Sequence, residues 1–403
     1  MTLRVLIADK LPPAAQTRLQ AAGFEVQADA SLKGDSLTER LRSFKPHALI
    51  VRSTKVLAAH FEAGSCLQLV VRAGAGVNTI DLDAASGQGV YVSNCPGMNA
   101  VAVAELAMGH VINADRQIAD NVAAFRAGQW QKKAFGKAGG GLKGRTLGVI
   151  GCGAIGQAVI ARARAFEMEI VAWSPSLTDG KAKALGAQRV EDPVEVARQA
   201  DFLTIHVALT PATRGFIGEG IFEAMKPGAV IINTARGEVL DEAALARAVA
   251  EKGIRAGLDV FCDEPSGDGD WRSELADLPG VYGTHHVAAS TAQAQEAVAA
   301  EACRIVEAWG ATGEAPNCVN LAQVNPATHT LVIRHADEVG VLARVLNMLS
   351  EAQINVQQME NIIFSGDNGA ACARLQIEGS PEADLLARLR DHPHVFDVSL
   401  KGI

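Results

Sequence analysis

Residues 147–156 read LGVIGCGAIG: a short apolar run, then Gly151-Cys152-Gly153-Ala154-Ile155-Gly156, with helical spacing from Ala154 onward. A G-x-G-x-x-G loop between a strand and a helix constrains the backbone tightly. The first glycine permits a sharp turn, the second leaves room for a ligand against the main chain, and the third lets the helix pack closely on the strand. The helix N-terminus then presents unpaired amides above the loop, which suits the pyrophosphate of a dinucleotide. A strand that feeds such a loop belongs in a parallel sheet, and the further strands such a sheet needs follow at regular spacing. They are EIVAW (169–173), FLTIHV (202–207), AVIINTA (229–235), IRAGLDV (254–260) and VYGTH (281–285).

The first hundred residues alternate in the same way: LRVLIAD (3–9), a helix from Pro13 to Ala22, FEVQA, a helical SLTERLRSF, then HALIVR. Residues Ala100 to Ala127 have helical spacing without proline, which predicts one long helix bridging two lobes. GKAGGGLKG (136–144) reads as a hinge-like loop before the glycine motif. An alanine-rich helix is expected from after Ser290 to about Trp309. TGEAPNCVNLAQVNP (312–326) carries two prolines and neither period, so it reads as a linker. The remainder runs strand TLVIRH, helix GVLARVLNMLSEA, strands INVQQMENI and AACARLQIEG, helix SPEADLLARLRDH, strand VFDVSLKG. That β-α-β-β-α-β order is ferredoxin-like.

Composition narrows the function. The 403 residues carry 37 basic and 45 acidic side chains, a formal charge of −8, with 48% apolar and 20% charged residues. These values exclude a disordered or fibrous chain. The acidic balance argues against nucleic acid and membrane surfaces as partners. An anionic ligand would need a local basic cleft. The seven cysteines are scattered, with no C-x-x-C and no close Cys/His pair, so neither a disulfide framework nor a metal site is readable. Reduced thiols in a cytoplasmic protein are expected. Arg4, Asp9 and Lys10 interrupt the N-terminal apolar run, unlike a signal peptide. Glu105 and His110 break the longest apolar segment too soon for a membrane span.

About 20 residues past the glycine loop, a carboxylate is expected for the adenosine ribose. Trp173-Ser174-Pro175-Ser176 stands there, and the next acid is Asp179. Ser174 leaves room for a 2′-phosphate, but only Lys181 and Lys183 follow, so NAD and NADP both remain open.

Three later segments each place one reactive group at the end of an apolar strand, where open α/β sheets bind ligands. INTARGEVLDEAAL carries Arg236, GLDVFCDEP carries Asp259 and Glu264, and GTHHVAAST carries His286. A guanidinium can clamp a planar carboxylate in a bidentate fork. An imidazole can take a hydroxyl proton as hydride leaves the same carbon, and a carboxylate can fix its tautomer. Singly, each has an ordinary structural explanation as a surface charge, a turn residue or a buried histidine. Their order and flanking sequence decide.

That order resembles the D-isomer-specific 2-hydroxyacid dehydrogenases, whose pattern is a glycine loop, H-x-P-x-T, N-x-x-R-G, D-V-F-x-x-E-P and H-x-x-x-S-T. Here these are GCGAIG, His206 to Thr210, Asn233 to Gly237, Asp259 to Pro265 and His286 to Thr291, over about residues 1–315. Ala208 replaces the usual proline, and His285-His286 the usual Pro-His. The resemblance implies a Rossmann-type doubly wound parallel sheet for the nucleotide domain (98–283). It also implies a flavodoxin-like substrate domain (1–97 with 284–315), a linker (316–327) and a C-terminal domain (328–403). Arg236, Glu264 and His286 would be catalytic. Gly151, Gly153, Ala154, Ile155, Gly156, Ser174, His206, Ala235, Asp259 and Ala288 would meet the cofactor, NAD with NADP possible.

Within that family, VRSTKV (51–56) and VVRAGAGVNTIDL (70–82) resemble the substrate loops of the branch that oxidises D-3-phosphoglycerate to 3-phosphohydroxypyruvate, the first step of L-serine synthesis. Arg52, Ser53, Arg72, Gly74, Ala75, Gly76, Lys132 and Lys133 would then receive a phosphorylated hydroxy acid. A glyoxylate or hydroxypyruvate reductase using NADPH, and a non-catalytic nucleotide-sensing corepressor, are the alternatives. The tail, HADEVGVLARVL followed by QINVQQM, resembles the ACT domain, which in this family binds L-serine across a pair of subunits. His335, Asp337 and Asn355 are the matching positions, although asparagine is usual at the second and proline where Val339 stands. A homodimer through the nucleotide lobe, or a homotetramer joined by the tail, is implied.

Overall fold

Five short strands, β1 (Arg4–Ile7), β2 (Glu25–Ala28), β3 (Ala48–Val51), β4 (Leu69–Arg72) and β5 (Tyr91–Asn94), form a wholly parallel sheet in the order β2-β1-β3-β4-β5. The computed structural model behind this description covers every residue except Met1, Ala138, Ser266, Asp367 and Asn368. A parallel sheet covered on both faces needs strands that are apolar on both sides, and all four residues of β3, ALIV, are buried. Successive residues feed separate cores. Val5, Ile7, Ile50 and Val71 pack with Ala302, Cys303, Ile305, Val306 and Trp309 of the helix Ala292–Thr312. Leu6, Leu49, Val51 and Val70 pack with Leu37, Leu41 and Phe61 on the other face.

The second sheet has seven parallel strands: β6 (Thr146–Ile150), β7 (Glu169–Trp173), β8 (Gln188–Arg189), β9 (Phe202–Ile205), β10 (Val230–Asn233), β11 (Arg255–Leu258) and β12 (Val281–Gly283). Their order is β12-β11-β10-β9-β6-β7-β8. After β6 the chain adds strands to one side, and from β9 to the other. The crevice between β6 and β9 is therefore the topological switch point, where doubly wound sheets bind ligands.

The long helix expected over 100–127 is two helices, Ala100–Arg116 and Ile118–Arg126. Gln117 separates them at φ 49°, a left-handed conformation that ends a helix, and its N–H donates to the Asn113 carbonyl. The Asn113 side chain then accepts from the Ala119 N–H at 2.8 Å. Such a side chain competes with the helical ladder, and spacing alone does not reveal it. The glycine-rich stretch is anchored rather than loose where it is described. Asp115, 1% exposed, accepts from the N–H groups of Gly140 and Gly141 and from Arg145 at 2.8 Å. Ala138 lies outside the described residues.

Met1–Asn320 forms one compact unit and Leu321–Ile403 a second. Residues 317–320, expected in the linker, belong to the first. Val319 N–H donates to the Val92 carbonyl at 2.8 Å, and the Asn320 side chain bonds Val92 and Val90 on the outer edge of β5. The second unit is an antiparallel sheet of β13 (His329–Ala336), β14 (Val356–Ile363), β15 (Ala370–Ile377) and β16 (Val395–Gly402) in the order β14-β15-β13-β16. Its helices Val341–Glu351 and Ala383–Arg390 contribute Val345, Leu349, Leu385 and Leu389 to the core. Strand order and connections are ferredoxin-like, as read from the sequence. Among the described residues, no helix is long and apolar enough to cross a membrane.

Candidate active site

The glycine loop leaves β6 at the switch point, and its three glycines do different things. A Cβ on Gly151 would lie 2.4 Å from the His206 carbonyl oxygen, and one on Gly156 would lie 2.1 Å from the Gly151 carbonyl oxygen. Both are backbone contacts that cannot give way. A Cβ on Gly153 would meet nothing within 4 Å. That open space lies at the N-cap of the helix Ala154–Ala165, where Ala154 and Ile155 open the first turn and leave amides unpaired. Beside it is a cavity of about 430 Å³ lined by Cys152, Gly153, Gln157, Ser176, Leu177, Lys181, Ala184 and Leu185. This room and donor set fit the phosphate and adenosine portions of a dinucleotide.

The serine facing that cavity is Ser176. Ser174, singled out from the sequence, uses its carbonyl to accept from Leu177 N–H and does not line the cavity. The nearby acid Asp179 is paired with Arg189 at 3.2 Å. His206 also departs from expectation. Its imidazole is turned into the protein with Nε2 2.8 Å from Thr204 Oγ1 and Nδ1 buried without a partner. Burial pushes its pKa down to about 3, so the ring is neutral. It meets the glycine loop through its main chain.

Arg236 follows β10. Buried Asn233 staples the turn: its side-chain N–H donates to the Arg236 carbonyl at 2.9 Å, and its oxygen accepts from Ala235 N–H at 3.0 Å. This is a physical reason for asparagine at the head of N-x-x-R-G. Gly237 is equally constrained, since a Cβ there would lie 2.0 Å from the Phe261 carbonyl carbon. The Arg236 guanidinium reaches toward the first lobe, with Nη2 2.9 Å from where a Cβ on Gly76 would sit.

Of the adjacent histidines, His286 is the one that meets Glu264, through Nδ1 and Oε1. A carboxylate accepts, so the hydrogen sits on Nδ1 and Nε2 keeps a free lone pair. Glu264 is steadied in turn by Phe261 N–H at 3.3 Å. Asp259 is fully buried. Its carboxylate accepts from Thr284 Oγ1 at 2.6 Å, Val287 N–H at 3.0 Å and Ala288 N–H at 2.8 Å. It therefore holds the loop that carries His286, and the Ala288 amide is already committed.

A cleft of about 140 Å³ is lined by Lys10, Arg52, Arg72 and Gly74 from the ends of β1, β3 and β4 and the loops after them, by Asn99, and by His286, Ser290 and Gln295 from the segment after β12. No carboxylate is among its described lining residues. The Arg72 guanidinium is largely buried, its Nε donating to the Arg52 carbonyl at 3.0 Å. Burial, then the neighbouring Arg236 and Arg52, lower its pKa from the usual arginine value. The guanidinium lies over Gly74, where a Cβ would sit 1.7 Å from Arg72 Nη1 unless the side chain shifted. Ala75 and Gly76 continue the loop, which Asn94 pins by donating to the Ala75 carbonyl at 2.6 Å. Asp9 fixes the opposite loop, accepting from the N–H groups of Arg52, Ser53 and Thr54 at 2.6, 3.1 and 3.0 Å.

Sequence reasoning missed Lys10, which sits past β1 with no motif around it, and the bracing role of Asp9. Lys132 and Lys133 do not join the cleft. They lie exposed on the short helix Lys132–Phe135. In the second unit, His335 is buried between the Ala336 carbonyl and Asn361, and Asp337 is exposed just beyond it. Asn355 is at the other end of the sheet, preceding the Val356–Ile377 pair, whereas His335 pairs with Ala371. One chain does not bring the three together.

Residues 108–288 match the family model described as D-isomer specific 2-hydroxyacid dehydrogenase, NAD binding domain. The chain is 41% identical over 297 residues to a D-3-phosphoglycerate dehydrogenase of Methanocaldococcus jannaschii, covering 73% of this chain and 55% of that one. It is 42% identical over 261 residues to a hydroxypyruvate reductase of Thermotoga maritima, covering 63% and 81% respectively. It thus spans little more than half the length of that phosphoglycerate dehydrogenase. Among solved structures, the NAD⁺-bound 3-phosphoglycerate dehydrogenase of Entamoeba histolytica superposes with a TM-score of 0.65 at 25% identity, over 80% of this chain and 99% of that one. With the glycine loop, the Arg236 turn and the His286–Glu264 pair in the order this fold requires, the chain belongs to the D-isomer-specific 2-hydroxyacid dehydrogenase family.

Proposed function

We propose that this protein oxidises D-3-phosphoglycerate to 3-phosphohydroxypyruvate with NAD. The observation that carries the substrate is the cation cluster. Lys10, Arg52 and Arg72 line one cleft with His286 and no carboxylate among its described lining residues, and Arg236 reaches the adjoining loop at Gly76. A substrate with a carboxylate at one end and a phosphate at the other matches that charge, against a chain that is acidic overall. The phosphoglycerate dehydrogenases among its relatives point the same way.

In this reading Arg236 holds the substrate carboxylate, and Arg52, Arg72 and Lys10 hold the phosphate. His286 Nε2 takes the C2 hydroxyl proton, and Glu264 stabilises the imidazolium that forms. A dinucleotide held through its phosphates at the loop 151–156 would supply the nicotinamide as hydride acceptor. The Asn233-stapled turn and the Asp259-held loop keep the two reactive side chains in register.

Steady-state assays with 3-phosphoglycerate, glycerate, hydroxypyruvate and glyoxylate, each with NAD and NADP couples, test the proposal. The expected result is a kcat/KM for the phosphorylated substrate at least ~10-fold above any unphosphorylated one, because a charge-assisted contact contributes about 1.5–3 kcal/mol. Equal values would favour hydroxypyruvate reduction, the second reading, which the Thermotoga relative supports.

Further parts of the proposal concern partners. The helix Ile118–Arg126 buries none of its residues and exposes Ile118, Val122 and Phe125. A second copy covering that face would make a homodimer. The separation of His335 and Asp337 from Asn355 suits an effector such as L-serine only if two copies supply one site. Seven unpaired thiols suit a cytoplasmic setting. Sedimentation with and without L-serine tests the first two.

A further inference from the structure

This inference rests on His286 as the base of the reaction. His286 sits at φ 53°, a left-handed conformation that a histidine keeps only when its surroundings impose it. Three consecutive amides impose it here. His286 N–H donates to the Asp259 carbonyl at 2.8 Å, Val287 N–H to Asp259 Oδ1 at 3.0 Å, and Ala288 N–H to Oδ2 at 2.8 Å. The clamp works only while the carboxylate keeps its rotation, and the amides alone do not fix that.

Thr284 supplies the missing constraint. Its Oγ1–H donates to Asp259 Oδ1 at 2.6 Å, and its oxygen lies 3.1 Å from Nε2 of His110. With the hydroxyl proton committed to the carboxylate, the threonine oxygen accepts, so His110 carries its hydrogen on Nε2. His110 is 5% exposed, and burial lowers its pKa although the Asp259 charge opposes this. Its neutral ring packs on Gly257, where a Cβ would lie 2.6 Å from His110 Cβ. A chain of contacts therefore runs from the helix Ala100–Arg116 through Thr284 and Asp259 to the loop bearing the base. Neither His110 nor Thr284 lines the cleft.

We propose that Thr284 and His110 are positioning residues that, through Asp259, hold His286 in its left-handed conformation and keep its imidazole aimed at the substrate hydroxyl. The test compares Thr284→Val, Thr284→Ser, His110→Gln and His286→Ala in the full chain. Each is assayed with whichever 2-hydroxy acid the wild type oxidises fastest, so an error in the substrate leaves this test intact. Thr284→Val should lower kcat by ~10–100-fold, with substrate KM and NADH affinity changed less than ~3-fold, since Thr284 itself does not line the cleft and the lost bond acts on the orientation of the base. Thr284→Ser and His110→Gln, which keep the hydrogen-bonding groups, should recover most of that loss. The proposal is overturned if Thr284→Val keeps its kcat, if Thr284→Ser is equally damaged, or if the lost activity tracks lost NADH-binding capacity. Full activity in His286→Ala would instead overturn the reading of the base itself.

Discussion

Under the proposed function, the groups that would meet a phosphate around Gly153 are backbone amides at the start of the helix Ala154–Ala165; around Gly74 they would be the side chains of Lys10, Arg52 and Arg72. The first receptor is local. Six consecutive residues make it, and its constraints are glycines that leave no room for Cβ or ample room for a ligand. The second is assembled from the ends of β1, β3 and β4 and the loop after β12. Its constraints are the Asp9, Asn94 and buried Asp259 contacts that aim the loops. Backbone donors can be deleted only by proline and are otherwise merely obstructed. Side-chain donors can be removed one at a time.

The largest expected effect falls on the reacting base rather than on a phosphate contact. His286→Ala should lower kcat by ~100-fold or more with nucleotide affinity nearly unchanged, while His285→Ala stays near wild type. Turnover and NADH titration of both variants check this, and the reverse result would reassign the base. Arg72→Ala should come next, losing ~10–100-fold in kcat/KM for 3-phosphoglycerate and far less for glyoxylate. Equal losses would mean that the side-chain receptor does not read the phosphate. Gly153→Ala should be smallest, raising the KM for NAD by roughly 10-fold, about 1.4 kcal/mol, without lowering Tm. Its φ of −72° suits alanine and no protein atom obstructs the new methyl. A Tm drop comparable to that of Gly156→Ala would show that the loop is tuned for packing at this position as well.

The same division explains what the sequence revealed. Strand-helix alternation, the glycine loop and the ferredoxin-like tail are written in neighbouring residues and were readable from spacing. The placement of Arg236, Glu264 and His286 was readable because each follows a strand within a motif, and parallel topology sends strand ends to one edge of the sheet. The misreadings lie where tertiary contacts decide. The helix break at Gln117 depends on an asparagine side chain competing for backbone donors. Asp259 and His206 turn inward to neighbours that are distant in sequence or hidden by strand geometry. Lys10 joins the cleft only because β1 and β3 are adjacent, while the pair at 132–133, similar in composition, stays outside it.

The segment 317–320 lies along the outer edge of β5, with Ser93 and Cys318 forming an antiparallel bridge and Asn320 capping the row. An edge strand with bare amides and carbonyls is a template for any extended peptide, including another partly folded chain. A fragment ended at Ala315, where the composition changes, would expose that template; one ended at Asn320 keeps it covered. Shielding of the first unit against self-association thus resides in a few residues that composition alone would assign to a spacer.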